Sequence, residues 1–214
     1  MGLQTIVDNA TFLTINKRKG TGQTISRSGH IKTSIEQPSL YRFSVGMHAG
    51  LTYSTNRDLL EDLDTLDRTI ESNISLNNNT NMNYLTNHLG GITGGTFSVN
   101  GSDGAEIYLD CSSVTGSNYL FRKGDFLQPQ GNTGTYRYPY QVTNDVFFST
   151  GANVTVPLHR NVLSQDDVTI VGSDLRIGNE VRFHLKALDM PTYNVVPHDR
   201  IEFTGTFELI EVIT

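Results

Sequence analysis

The chain has 214 residues, of which 36% are hydrophobic, and it carries a formal net charge of −6 at pH 7. This length suits one large domain or a domain with an insertion, and the low apolar fraction favours many short strands with polar turns over a thick enzyme core. The acidic balance argues against nucleic acid as the main partner, and the single cysteine, Cys111, excludes an internal disulfide.

The first predicted elements are extended segments. Residues 3–15 carry the apolar weight of a strand, and a basic turn follows at 17–22. The next segment, 23–34, has Ile25 and Ile31 as its only apolar residues, so a strand there is polar on both faces and core burial cannot hold it. It needs a partner for its backbone groups, or it faces a wet channel. The candidate residues for such a lumen or inter-subunit strand are Ser26, Arg27, His30 and Lys32.

One segment predicts a helix, from Asn56 to about Ser72. Thr55 and Asp58 match a helix start in which Thr55 is the N-cap. Apolar residues then recur at spacings of three and four and form one stripe, made of Leu59, Leu63, Leu66, Ile70 and Ile74. The remaining surface is strongly acidic. Two interpretations stay open, a solvated face over a β core or an electrostatic docking face for a basic partner, whose candidate residues are Asp62 and Asp64.

The rest of the chain predicts short strands. Residues 41–45 alternate cleanly, as a strand with one buried face does, and from about residue 107 short apolar runs alternate with glycine turns, which is typical of a small β barrel or sandwich. The segment 201–213 is the most apolar and is expected at the centre of a sheet. We therefore predict a discontinuous organisation, in which residues 1–83 and 180–214 form one β domain and residues 84–179 form an inserted β-barrel module.

Three tyrosines in the predicted insertion alternate along one strand. Tyr136, Tyr138 and Tyr140 would share one sheet face, which suits either packing or an interface. We name them as candidate interface residues, and we favour packing and protein contact over sugar binding.

The sequence contains no recognisable catalytic or metal-binding motif. Its six histidines lack metal-ligand spacing, and it has no phosphate-binding P-loop, dinucleotide-binding glycine motif or nucleophile elbow. We therefore expect no catalytic residue, metal site or cofactor, and a non-enzymatic role. Two alternatives stay open: a receptor- or carbohydrate-binding β module, and a hydrolase whose two carboxylates converge from distant positions.

Three stretches resemble tail-hub proteins of tailed bacteriophages, the distal-tail and tube-initiator class built on the tail-tube fold. They are residues 41–54 with the acidic helix that follows, residues 121–129 with 138–146 and 154–160, and residues 193–203 with the C-terminal strand. The resemblance implies a mainly β fold, a tail-tube-like sandwich or barrel with one helix and an inserted small OB-like barrel.

The same resemblance implies a structural role in the virion. The expected protein is a ring, usually sixfold in that class, which is assembled in the host cytoplasm and joins the tail tube to distal tail, baseplate hub or fibre proteins. Its partners would be other copies of itself, as a homohexamer, and those tail proteins. Genomic DNA would pass through the lumen without specific binding, and no membrane would be involved. In such a ring, residues 23–34 would line the lumen and pair with neighbouring subunits.

Overall fold

The structure is a computed structural model, and it describes residues 3–18, 21–29, 31–35, 39–47, 51–66, 71–91, 97–114, 117–130, 138–149, 153–163, 170, 172 and 174–213. These residues are mainly β, in several sheets. The helices are α1 (Leu3–Asp8) and the longer α2 (Tyr53–Leu66), with 3-10 turns at Asn83–Thr86 and Gly178–Glu180. The strands are β1 (Ala10–Arg18), β2 (Thr21–Ile25), β3 (Ile31–Ile35), β4 (Leu40–Met47), β5 (Leu51–Thr52), β6 (Glu71–Ser75), β7 (Ser98–Asp103), β8 (Glu106–Asp110), β9 (Ser117–Phe121), β10 (Phe126–Pro129), β11 (Tyr140–Gln141), β12 (Val146–Ser149), β13 (Val154–Pro157), β14 (Leu175–Ile177), β15 (Arg182–Asp189), β16 (Tyr193–Val196), β17 (Arg200–Phe203) and β18 (Phe207–Glu211).

The largest sheet has five antiparallel strands in the order β1-β4-β18-β15-β6. Strand β18 lies at its centre, so the prediction that the C-terminal segment is a central sheet member is confirmed. The predicted strand 201–213 is divided, however, because β17 ends at Phe203 and β18 begins at Phe207, with Gly205 between them. Helices α1 and α2 pack on this sheet and complete the first hydrophobic core.

The start of the chain differs from the prediction of a strand over residues 3–15. Residues Leu3–Asp8 form α1, and only from Ala10 does the chain become the strand β1. Leu3, Ile6 and Val7 are all buried in the first core. Their spacing of three and four residues places them on one helical face, a signal that the apolar run starting at Phe12 obscured.

Helix α2 is the predicted acidic helix, with different ends. It begins at Tyr53, and Glu71 and Ser72 lie in the strand β6 instead of the helix. Ile74 is therefore not part of the helical stripe but pairs with Phe183 of β15. The predicted N-cap, Thr55, lies inside the helix.

The cap of α2 comes from a residue far away in the sequence. The carboxylate of Asp199 accepts a hydrogen bond from the Ser54 backbone N–H at 2.9 Å and another from the Ser54 hydroxyl, and the Asp199 carbonyl accepts the Tyr53 N–H at 3.0 Å. Asp199 itself lies in the turn between β16 and β17, where its φ of 58° is in the left-handed region. Local capping rules do not detect such a cap, because donor and acceptor are 145 positions apart.

The polar segment 23–34 is not one strand but parts of both strands of a β-hairpin. Strands β2 and β3 pair antiparallel, from Thr21 with Ile35 to Ile25 with Ile31. Within the described residues, neither strand pairs with any other. Each strand therefore pairs along one edge within the chain, which was not predicted from the sequence.

This hairpin continues the outer two strands of the five-stranded sheet. Strands β1 and β4 pair up to Arg18 with Leu40, and β2 and β3 follow beyond that point. At the tip, the Gly29 N–H bonds to the Ser26 carbonyl at 2.9 Å, and Gly29 has a φ of 81°, which glycine adopts without strain. We call residues 21–35 the arm.

A second hydrophobic core lies under the smaller sheets β13-β8-β7, β11-β10-β14 and β12-β9. Its buried residues fall between Val99 and Leu158, whereas those of the first core fall between Leu3 and Leu76, at Phe126, and between Val181 and Leu209. Among the described residues no sheet closes into a barrel. The assignment of residues 84–179 to a separate inserted domain stays a prediction.

Candidate interaction surfaces

The tip of the arm presents an apolar side chain next to a cation. Ile25 is 73% exposed, and Ser26 and Arg27 in the turn are exposed as well. These two predicted strand residues therefore lie in a turn, whereas Lys32 lies on β3 and His30 falls outside the described residues. The arm contains no acidic residue.

Helix α2 presents an acidic face. Asp58, Glu61 and Asp64 are exposed, and in the described part of the chain Asp58 and Glu61 form no ion pair. Asp62 lies on the same helix, but its side chain is outside the described part. Asp64 accepts a hydrogen bond from the Tyr193 hydroxyl at 3.0 Å. Burial raises the pKa of Tyr193 most, and the Asp64 carboxylate raises it further. The hydroxyl therefore stays protonated and acts as a donor.

A cleft of about 380 Å³ lies beside this face. Buried Leu63 and Phe207 contribute apolar walls, and Asp64 contributes a carboxylate at the rim. We call it the α2 cleft, and its lining residues are Leu63, Asp64, Met190, Pro191, Thr192, Tyr193 and Phe207. An aliphatic side chain accompanied by a cation fits such a lining.

The arm and the α2 cleft lie at opposite ends of strand β4. Phe207 in the cleft pairs with Val45, near the end of β4, whereas the arm leaves the sheet where Arg18 pairs with Leu40, at its beginning. The arm then runs on for five further residue pairs, or roughly 17 Å. The arm and the α2 cleft are therefore reached from opposite ends of β4.

The predicted tyrosine interface needs correction. Tyr138 and Tyr140 are buried in the second core, with only 6% and 1% of their surfaces exposed. Tyr136 lies outside the described residues. Buried rings offer no surface to a partner, so packing, one of the two interpretations left open, describes Tyr138 and Tyr140.

A buried ion pair, which was not predicted from the sequence, joins the two cores. The Arg160 guanidinium donates to both carboxylate oxygens of Glu211 at 2.6 Å, and also to the carbonyls of Ser39 and Pro139 at 3.0 Å. Burial acts to lower the pKa of Arg160, but the hydrogen bonds and charge of Glu211 outweigh it and raise that pKa. The one sequence signal is the position of Glu211, two residues after buried Leu209 on an otherwise apolar strand face.

A histidine beside this pair is held neutral. His159 Nδ1 accepts the Gln141 backbone N–H at 3.0 Å, and burial, followed by the charge of Arg160, lowers the His159 pKa to about 3. The Tyr41 ring lies 5.1 Å from the imidazole. Among the described residues, no hydrogen-bond partner reaches the Tyr41 hydroxyl, His159 Nε2 or Arg160 Nε.

No family model matches the chain, and no curated protein matches its sequence. Within the described ranges, no group of three or more His, Cys, Asp or Glu side chains is placed to hold a metal ion. The helices of the described part are all too short or too polar to cross a membrane.

Proposed function

We propose that this chain is a non-enzymatic structural protein of a bacteriophage tail, and that it forms a ring in the tail hub or baseplate through contacts between its own copies. The observation that carries the proposal is the arm, which extends a sheet edge and exposes an apolar and a cationic side chain at its tip. Support also comes from the three stretches that resemble tail-hub proteins. In this proposal the first core has a tail-tube-like fold and the second an OB-like fold.

An open sheet edge supports contacts between copies. The nine-residue strand β1 pairs only with β4 among the described strands, so its outer edge is unpaired. Phe12 on this strand is 48% exposed. A long edge strand with an exposed aromatic ring invites pairing with another chain, and a closed ring removes such edges.

Charge complementarity supports a head-to-tail contact. In our proposal the arm of one copy reaches the α2 cleft of the next, so that Ile25 contacts the apolar walls and Arg27 faces Asp64. A contact between two different surfaces of the same chain is heterologous, and it closes into a ring when the rotation between copies permits. The sixfold symmetry of the ring is proposed on the resemblance alone.

The remaining parts of the proposal concern the place of the ring. We propose that it is assembled in the host cytoplasm and joins the tail tube to distal tail, hub or fibre proteins in the virion. DNA would pass through its lumen without specific binding. Arg27 and Lys32 of the arm are basic, so the repulsion of DNA phosphates has to come from the acidic surplus of −6 in each copy.

The first test is the mass of the purified chain in solution. Size-exclusion chromatography with light scattering should give a multiple of 23.7 kDa, alone or after mixing with the tail-tube and hub proteins encoded beside it. Negative-stain images should then show closed rings. A monomer that enters no larger species even in those mixtures contradicts the proposal.

The second test is thiol cross-linking between copies. Cys111 is buried, and burial raises its thiol pKa to about 11, so introduced cysteines will react first. An Arg27→Cys chain mixed with an Asp64→Cys chain should give a cross-linked dimer with a short bifunctional reagent. The control mixture combines Arg27→Cys with Lys123→Cys, an exposed position in the turn between β9 and β10. Rings without the specific cross-link would refute the arm-to-cleft contact and leave the ring itself standing.

A further inference from the structure

The two-stranded sheet of β9 and β12 has one buried face and one face turned to solvent. On the buried face, Phe148 and Leu120 are fully enclosed in the second core. On the other face, Phe147 lies directly opposite Tyr119, and Phe147 is 57% exposed. The two ring centroids are 5.4 Å apart in an edge-to-face arrangement, so the exposed ring is supported from one side.

Polar groups beside these rings are held in place by contacts within the chain. The Arg122 guanidinium lies 3.4 Å from the centre of the Tyr119 ring and donates to Asp145 at 2.8 Å. The other oxygen of Asp145 accepts the Lys123 backbone N–H at 2.8 Å. Both hydrogen bonds lower the pKa of Asp145, and the one from the Lys123 backbone has the larger effect. The Asp145 carboxylate is therefore ionised at neutral pH.

A groove of about 450 Å³ opens next to Phe147. It combines the aromatic ring with amide, carboxylate and hydroxyl side chains, and its lining residues are Asn144, Asp145, Val146, Phe147, Asn153, Val154, Thr155 and Pro157. We call it the β12 groove. Its volume lies at the lower end of the range of small-molecule sites, which is roughly 300–1,000 Å³.

The chemistry of the lining disfavours two common classes of ligand. A nucleic-acid strand needs cations along its phosphates, but the groove contributes a carboxylate, and the nearby Arg122 is already paired with it. A protein partner is usually held by several apolar anchors packed together, whereas among the described residues that line the groove Phe147 alone is aromatic. A ligand that suits both the aromatic ring and the polar side chains of the groove has an apolar face and a rim of hydroxyl groups.

We propose that the β12 groove binds an uncharged saccharide of one or two sugar rings. The C–H face of the sugar packs on Phe147, and its hydroxyl groups donate to Asp145 and exchange hydrogen bonds with Asn144 and Asn153. Asp145 disfavours anionic sugars, because a sugar carboxylate or sulfate would face a like charge. This site does not depend on ring formation, since all its residues belong to one copy.

The experiment is a binding screen of the intact chain against immobilised glycans, followed by titration calorimetry with the best uncharged oligosaccharide. We expect binding of uncharged sugars over uronic, sialylated or sulfated ones. Phe147→Ala should weaken binding at least tenfold, and Phe147→Tyr should retain it. Asn153→Ala should also weaken it. The matched control is Leu188→Ala, which removes a similarly exposed apolar side chain from strand β15 of the large sheet.

Thermal melting of each variant shows whether the fold is kept, and the Phe147→Tyr variant tests the site even if the alanine variant unfolds. Absence of binding to every uncharged glycan overturns the proposal. So does a preference for anionic glycans, or an affinity that Phe147→Ala and Asn153→Ala leave unchanged. None of these results bears on the mass of the ring, so the two proposals fail separately.

Discussion

Arg160 and Glu211 form a two-pronged ion pair, with both nitrogen–oxygen distances at 2.6 Å, between the end of the central strand β18 and the segment after β13. The side chains are 2% and 0% exposed. Because Arg160 also donates to two backbone carbonyls, the pair connects the first core to the second through a single guanidinium.

Removing one partner of this pair should be costly. Arg160→Ala leaves the Glu211 carboxylate buried and uncompensated, so we expect the free energy of unfolding to fall by about 3–5 kcal/mol, as measured by urea denaturation. The control Arg122→Ala breaks an ion pair with half-exposed partners and should change stability little. The double variant Arg160→Met with Glu211→Leu should be more stable than Arg160→Ala, and an equally unstable double variant would contradict this explanation.

His159 should make stability depend on pH. Its pKa is lowered from 6.5 to about 3 in the folded chain, so between these values the unfolded chain binds more protons than the folded one. The contribution of His159 to the free energy of unfolding is therefore complete above pH 6.5 and is lost as the pH falls towards 3. His159→Gln keeps a side-chain acceptor and should flatten the stability curve over this range in denaturant titrations. His184→Gln, at a half-exposed position, serves as the control, and an unchanged slope in His159→Gln would refute the prediction.

The nonlocal cap of α2 gives a prediction with a built-in comparison. Asp199→Ala removes the acceptor of the Ser54 N–H and places a Cβ-bearing residue without a polar side chain at a left-handed φ. We expect a loss of about 1 kcal/mol in thermal or urea unfolding. Asp199→Asn keeps an acceptor and tolerates the same φ, so it should lose less. Equal losses in the two variants would show that the hydrogen bonds are not the cause.

Gln4 of α1 covers part of the outer edge of β6. Its amide donates to the Ser75 carbonyl at 2.8 Å and accepts the Ser75 N–H at 2.8 Å, which imitates the pairing of a neighbouring strand. Gln4→Ala removes these two hydrogen bonds and a third, from the Gln4 amide to the Asp8 carboxylate at 2.6 Å. It should cost about 1–3 kcal/mol and speed amide exchange at Ser75. Gln4→Glu keeps an acceptor for the Ser75 N–H but turns an oxygen toward the Ser75 carbonyl and the Asp8 carboxylate. It should therefore protect the Ser75 amide better than Gln4→Ala does only at a pH low enough to protonate the introduced carboxyl group.

The elements that local pattern specifies could be predicted from the sequence. The alternation of Tyr41, Phe43 and Val45 predicted a strand with one buried face, and β4 buries these three side chains. The acidic helix and the central C-terminal strand also follow from spacing alone. The hairpin turn at Ser28 and Gly29 was missed because uniform polarity on both sides left no change of pattern to mark it.

Contacts between distant positions could not be predicted in the same way. The capping of Ser54 by Asp199 and the pairing of Arg160 with Glu211 each depend on how the sheets bring remote segments together. The burial of Tyr140 likewise follows from the position of its strand in the second core, because alternation alone does not say which face meets solvent.

The central place of β18 has a consequence for the order of events on the ribosome. Phe207 pairs with Val45, 162 positions earlier, and β18 separates β4 from β15. Every other strand of that sheet is synthesised before β18. Strands β4 and β15 therefore lack their shared neighbour until β18 leaves the ribosome. The buried residues of the second core all precede position 160, so most of that core can form by then, and half-buried Ile213 packs on it afterwards. We therefore expect the chain to fold in two stages during synthesis, with the large sheet completed last.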